Sequence, residues 1–121
     1  MRRTRVYIAG PINGSGIQSR NVRRGLQTAT ALVERGYNPY IPHLTCFWEA
    51  ASNVNLTHEQ WISLDTEWLV LCDAVLRLEG VSAGADQEVT IANRCGIRVF
   101  YSLDTLVACE KPTKEDNVCK P

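Results

Sequence analysis

The chain has 121 residues, 45% of them hydrophobic and 21% charged. That is enough for one domain around one core, too few for two, and too apolar for disorder. Thirteen Lys and Arg balance thirteen Asp and Glu, which argues against a polymeric nucleic acid as partner, because such binding rests on clustered phosphate neutralisation. No apolar run approaches the roughly 18 residues of a membrane span. The stretch behind the basic start, Met1 to Arg5, stops at Gly10 and Pro11. It is too short for a signal peptide, so a cytoplasmic protein is expected.

The first predicted element is a strand over Arg5–Ala9, followed by a loop rich in glycine from Gly10 to Gly16. A helix from about Arg20 to Arg35 then carries Val22, Leu26, Ala29 and Val33 at helical spacing, and Gly36 closes it. A second strand spans Asn38–Ile41, with Pro39 at its start. A long connection, Pro42 to Leu56, leads to Thr57 and Gln60, which have the form of a capping box. The helix behind it repeats Trp61, Leu64, Trp68 and Leu71 on one face.

A third strand, Ala74–Leu78, precedes a loop containing Gly80, Ser82 and Gly84. A helix over Ala85–Cys95, a fourth strand over Ile97–Tyr101 and a short helix over Leu103–Cys109 complete the pattern. The domain is therefore expected to span residues 1–109. Residues 110–121 turn polar and read as a poorly ordered tail.

Alternation of apolar strands with helices predicts the α/β class: a small doubly wound parallel sheet, flavodoxin- or Rossmann-like, of four to five strands flanked by helices. Ligands in such sheets lie beyond the carboxyl ends of the strands. The glycine loop, the segment Pro42 to Leu44 and the loop from Gly80 to Gly84 all fall there. The chemistry should gather at that edge.

The glycine loop suits either a tight turn or the close approach of a ligand to backbone N–H groups, with at most one phosphate contact from Arg20, Arg23 or Arg24. Glu88 is expected in the first turn of its helix, where the helix dipole would lower its pKa and keep it ionised. Asp86 fits a helix-start residue. Asp65 borders an apolar stripe, where a carboxylate is either paired or functional. Two carboxylates, one ionised beside the reacting carbon and one handling protons, are the minimum set for cleaving a glycosidic bond.

Tyr7 fits a core aromatic or a site residue, and His43 to Trp48 either packing or a stacking surface for a base. The five cysteines and two histidines form no metal-ligand spacing, so no metal is expected. Cys72 and Cys95 read as small buried hydrophobes.

Taken in order, Val6 to Ile12, Asp65 with Leu71 to Val75, and Ser82, Gly84 and Glu88 running into Ala92 and Gly96 to Val99 resemble the nucleoside 2-deoxyribosyltransferase superfamily. That group includes the deoxynucleoside 5′-monophosphate N-hydrolases, and the resemblance covers about residues 5–108. His43, Leu44 and Trp61 are similar to a small branch of it. The resemblance implies that Glu88 attacks the anomeric carbon to form a glycosyl-enzyme intermediate, that Asp65 assists the departing base, and that Tyr7 stands near the nucleophile and sugar. It implies that Gly10, Ser82 and Gly84 line the sugar or its 5′ end. Pro11, Ile12, Gly14, His43 and Trp48 complete the expected substrate-binding set.

Ser82, six residues before Glu88, resembles the members that act on 5′-phosphates, since a hydroxyl donates to a phosphate where a carboxylate would repel it. The first loop departs from those members: Asn13 and Gly16 stand where they carry arginines. No cofactor and a homo-oligomer are implied. The function expected is an N-glycosidase that hydrolyses or transfers the sugar of a nucleoside or its 5′-monophosphate. The alternatives are cleavage of a dinucleotide such as NAD, and a non-catalytic nucleotide-binding module.

Overall fold

A computed structural model describes residues 1–115. Its elements in chain order are β1 (Arg2–Arg3), β2 (Arg5–Ala9), α1 (Gln18–Glu34), β3 (Asn38–Tyr40), a 3-10 turn (Pro42–Leu44) and α2 (Thr45–Ala51). There follow α3 (His58–Leu69), β4 (Ala74–Arg77), α4 (Ala83–Arg94), β5 (Arg98–Phe100), α5 (Leu103–Cys109) and β6 (Thr113–Lys114). Strands β3, β2, β4 and β5 form a parallel sheet in that order, with Tyr7 opposite Tyr40 on one side and Val75 on the other. This is the small flavodoxin-like arrangement. The strand order reverses between β2 and β4, so the crevice for a ligand opens beyond Ala9 and Arg77.

Period-two alternation sends Val6, Ile8, Ala74 and Leu76 to one face of the sheet. There they meet Leu32, Tyr37, Phe100 and Leu106, and this cluster is the larger apolar core. Tyr7, Ala9 and Val75 point to the other face, against Leu69, Ala85 and Ala92 of α3 and α4. Burial on both faces explains why the central strands are continuously apolar. Pro39 is tolerated because β3 is an edge strand.

Several elements differ from expectation. Helix α1 buries Val22, Gly25, Ala29 and Leu32, whereas Val33 is exposed. Gly25 lies so close to His43 that a Cβ there would sit 2.7 Å from the ring, and that contact turns the Gly25–Ala29–Leu32 line inward. The long connection is not open loop but holds the 3-10 turn and α2; Pro42 opens the turn, and the Thr45 hydroxyl donates back to its carbonyl at 2.8 Å. The capping box at Thr57 and Gln60 is present in both directions.

On α3, Asp65 and Leu69 are buried while Trp68 is exposed, and Leu71 lies beyond the helix end, also exposed. The predicted apolar stripe is therefore offset from the face that packs. Helix α4 begins two residues earlier than expected, because the Ser82 hydroxyl accepts from the Ala85 N–H at 3.1 Å. Cys95 is exposed and Cys72 only half-buried.

The expected tail boundary at residue 109 does not hold for the residues that follow it. Glu110 is buried, its carbonyl accepts from the Tyr37 hydroxyl at 2.5 Å, and Thr4 N–H donates to the Pro112 carbonyl at 2.7 Å. β6 then pairs antiparallel with β1. Residues 116–121 of the predicted tail lie outside the described residues. Among the described residues, no helix is long and apolar enough to cross a membrane.

Candidate active site

Four pieces of chain converge where the strand order reverses. Gly10 ends β2 against β4, and a Cβ there would lie 3.0 Å from that of Leu78. A side chain at this position would push against Leu78, so glycine lets the two strand ends close tightly. At the end of β4, Arg77 donates to the carbonyls of Leu78 and Gly80, the latter at 3.0 Å, and pairs with Asp86 at 3.1 Å. This guanidinium, buried in its own loop, fixes the path from β4 into α4. Gly80 completes the turn with a φ of +118° and packs on Pro11.

The resulting cleft has a volume of about 290 Å³. Gly10, Ile12 and Gly14 line one side, Ser82 and Gly84 another, and Asp65 and Glu88 its inner end. Seven of the expected site residues are thus brought together, with Tyr7 directly behind them: its hydroxyl donates to Oε2 of Glu88. Gly84 is close-packed on α3, where a Cβ would meet Ile62 at 3.4 Å and His58 at 3.5 Å.

Glu88 lies in the second turn of α4, not the first. The expectation that the helix dipole keeps it ionised is overturned. Glu88 is buried, and burial pushes its pKa from the ordinary 4.5 up to about 8. The Tyr7 hydrogen bond opposes this, the Asp65 charge adds to it, and the Arg77 cation opposes it. Removal from water outweighs a dipole that fades within the first turn.

Asp65 is buried as well. Its pKa rises to about 6 through burial, opposed by a hydrogen bond that Tyr40 donates to Oδ1 at 3.2 Å. Burial and the neighbouring carboxyls hold Tyr7 well above the usual phenol range. Tyr7 therefore stays protonated and acts as a donor.

Besides Tyr7, which stands behind the cleft, three expected residues do not line it. His43 is fully buried beneath Gly25, and burial and the Arg24 charge lower its pKa to about 4, opposed by the backbone of Pro11. It is a neutral core residue. Pro11 is buried against Gly80. Trp48 packs edge-on against Trp61, with centroids 5.3 Å apart, on the outer side of the cleft.

Trp61 takes the lining position, and its indole N–H donates to Glu49 at 3.3 Å. His58 completes the mouth. Glu49 lies on α2, a segment whose sequence reads as open connection, and no local signal marks the pairing of Tyr40 with Asp65. None of Arg20, Arg23 and Arg24 is among the lining residues; Arg24 donates to the Glu79 carbonyl instead.

Fold and site together define a small flavodoxin-like α/β protein with two buried, tyrosine-held carboxyl groups at the switch point of its sheet. The chain belongs to the family described as a domain of unknown function (DUF4406), whose model matches residues 4–101. No curated protein matches it.

Proposed function

We propose that the protein is an N-glycosidase, related to the nucleoside 2-deoxyribosyltransferase superfamily, that cleaves the bond between base and sugar in a nucleoside or its 5′-monophosphate. The observation that carries this reading is the pair Asp65 and Glu88. Both are buried, both face one cleft, and each is held through one oxygen by a tyrosine hydroxyl.

With Oε2 of Glu88 engaged by Tyr7, Oε1 is the oxygen available to attack the anomeric carbon. As the new C–O bond forms, the C–N bond breaks and its electron pair goes to the base nitrogen, which takes the proton of Asp65. Water then attacks the anomeric carbon of the glycosyl ester, gives its proton to Asp65 and releases the Glu88 carboxylate. A second base in place of water would give transfer.

The raised pKa values fit a proton-sharing pair. Between about pH 6 and pH 8 the two carboxyls together hold one proton. The reacting arrangement has that proton on Asp65 and the charge on Glu88. Charge developing on the sugar in the transition state favours this arrangement, since a cation beside a carboxylate stabilises its ionised form.

The test is chromatographic detection of free base from nucleosides, nucleoside 5′-monophosphates and NAD, with a Glu88→Gln variant alongside. Base release from nucleosides or monophosphates that disappears in the variant supports the proposal. Release from NAD alone would replace it with a dinucleotide glycohydrolase. Ligand-induced thermal stabilisation without turnover, equal in the variant, would make the protein a binding module.

A further inference from the structure

Tyr7 and Tyr40 are register partners on the parallel strands β2 and β3. Their rings stack with centroids 5.4 Å apart, and Tyr40 stacks in turn on Trp68 at 6.0 Å. A three-ring ladder therefore runs from the buried carboxyls to the exposed face of α3. A phenylalanine would stack equally well at position 40. The hydroxyl has a separate use, because it reaches Oδ1 of Asp65.

Resting on the two-carboxyl reading above, we infer that Tyr40 is a positioning residue for Asp65. By occupying Oδ1 it leaves Oδ2 as the oxygen that carries the proton to the departing base. When that proton leaves, Asp65 becomes a carboxylate, and a hydrogen bond to a charged acceptor is stronger than one to a neutral acceptor. Tyr40 keeps its own proton throughout, since burial and the Asp65 charge raise its pKa. The register of two strands thus assigns one phenol to each carboxyl and fixes which oxygen of each meets the substrate.

The titratable or charged groups around Asp65 are Tyr40 on β3, Tyr7 on β2, Glu88 on α4, Glu49 on α2 and His58 on α3 itself. Of these, Tyr40 is the one that donates a hydrogen bond to Asp65.

The experiment is a carboxyl-carbon NMR titration of the wild-type protein, Tyr40→Phe and Trp68→Leu, with amide spectra reporting the fold and base release measured across pH. Tyr40→Phe should raise the Asp65 midpoint by about one pH unit and lower kcat/KM about tenfold, the loss falling in kcat. The lower limb of the pH profile should rise with the midpoint.

Trp68→Leu, which removes the outer ring and keeps the hydroxyl, should leave the Asp65 midpoint in place. An unchanged midpoint in folded Tyr40→Phe overturns the inference. So does an equal shift in Trp68→Leu, which would assign the effect to stacking. Absence of base release from the wild type would instead remove the N-glycosidase reading, while a midpoint shift confined to Tyr40→Phe would still support the positioning of Asp65.

Discussion

The two faces of the sheet are built from the same strands and do different work. On the α1 and α5 side, Val6, Ile8, Leu32, Leu76 and Leu106 make a closed apolar core. On the α3 and α4 side, Tyr7 of β2 meets Glu88, and Leu69, Val75, small alanines and the partly buried Ile91, Ile97 and Val99 complete the packing around the two carboxyls. A parallel sheet buried on both faces can hold titratable groups on one of them while the other is a closed apolar core. Burying carboxyls costs stability unless they stay protonated or find partners. Here both happen, through raised pKa values and two tyrosine hydroxyls.

Substitutions on the two faces should therefore separate activity from stability. The largest effect is expected from Glu88→Gln, which should lower base release by more than about a thousandfold, as loss of a nucleophile does, in a rate assay on folded protein. The same change should alter stability with pH in a defined direction. Folding raises the Glu88 pKa from 4.5 to about 8, so its protonated form is favoured in the native state. That contribution is fully present below pH 4.5 and is lost as pH rises through about 8. Glu88→Gln should thus unfold at a higher temperature than wild type near pH 9, with the gap closing towards pH 4, as scanning calorimetry would record. A variant less stable than wild type at pH 9 would contradict the burial of an ionisable group there.

The opposite face should give the mirror result. Leu76→Ala removes a side chain 2% exposed at the centre of the core. It should cost about 2–5 kcal/mol in denaturant unfolding while leaving kcat of the folded fraction within about twofold. Smaller still, Gly25→Ala forces a methyl against the His43 ring and should cost about 1–3 kcal/mol. A stabilised Gly25→Ala would mean that α1 and the 3-10 turn can part freely. Last, base release should follow a bell-shaped pH profile with limbs near 6 and 8, the apparent values of the Asp65 and Glu88 pair. A profile flat across that range would show that the pair does not govern turnover.

How far the sequence could be read follows the same division. The strand runs, the Thr57 capping box and the helix-closing glycines Gly36 and Gly96 are local signals, and the elements they mark are present. Glu88, Asp65, Gly10, Ser82 and Gly84 were recognisable as an ordered set, and they meet at one cleft. What was illegible depended on distance. Trp68 and Leu71 look like core by spacing, yet they are exposed, because α3 ends at Leu69 and turns Asp65 inward. His43 looked available beside the site, and only its packing under Gly25, eighteen residues earlier, makes it core. The Tyr40–Asp65 and Trp61–Glu49 hydrogen bonds join different elements, so no local pattern announces them. The Glu88 pKa could not be read either, since burial is a property of the whole fold and it outweighs the dipole that the helix position suggested.

The most direct test of the central claim is mass spectrometry of the protein quenched in acid during turnover of a nucleoside or nucleotide that it cleaves, followed by peptide mapping. The account predicts a glycosyl adduct on the peptide containing Glu88, located to that residue and absent in Glu88→Gln. An adduct on Asp65, or base release at full rate by the Glu88→Gln variant, would contradict it.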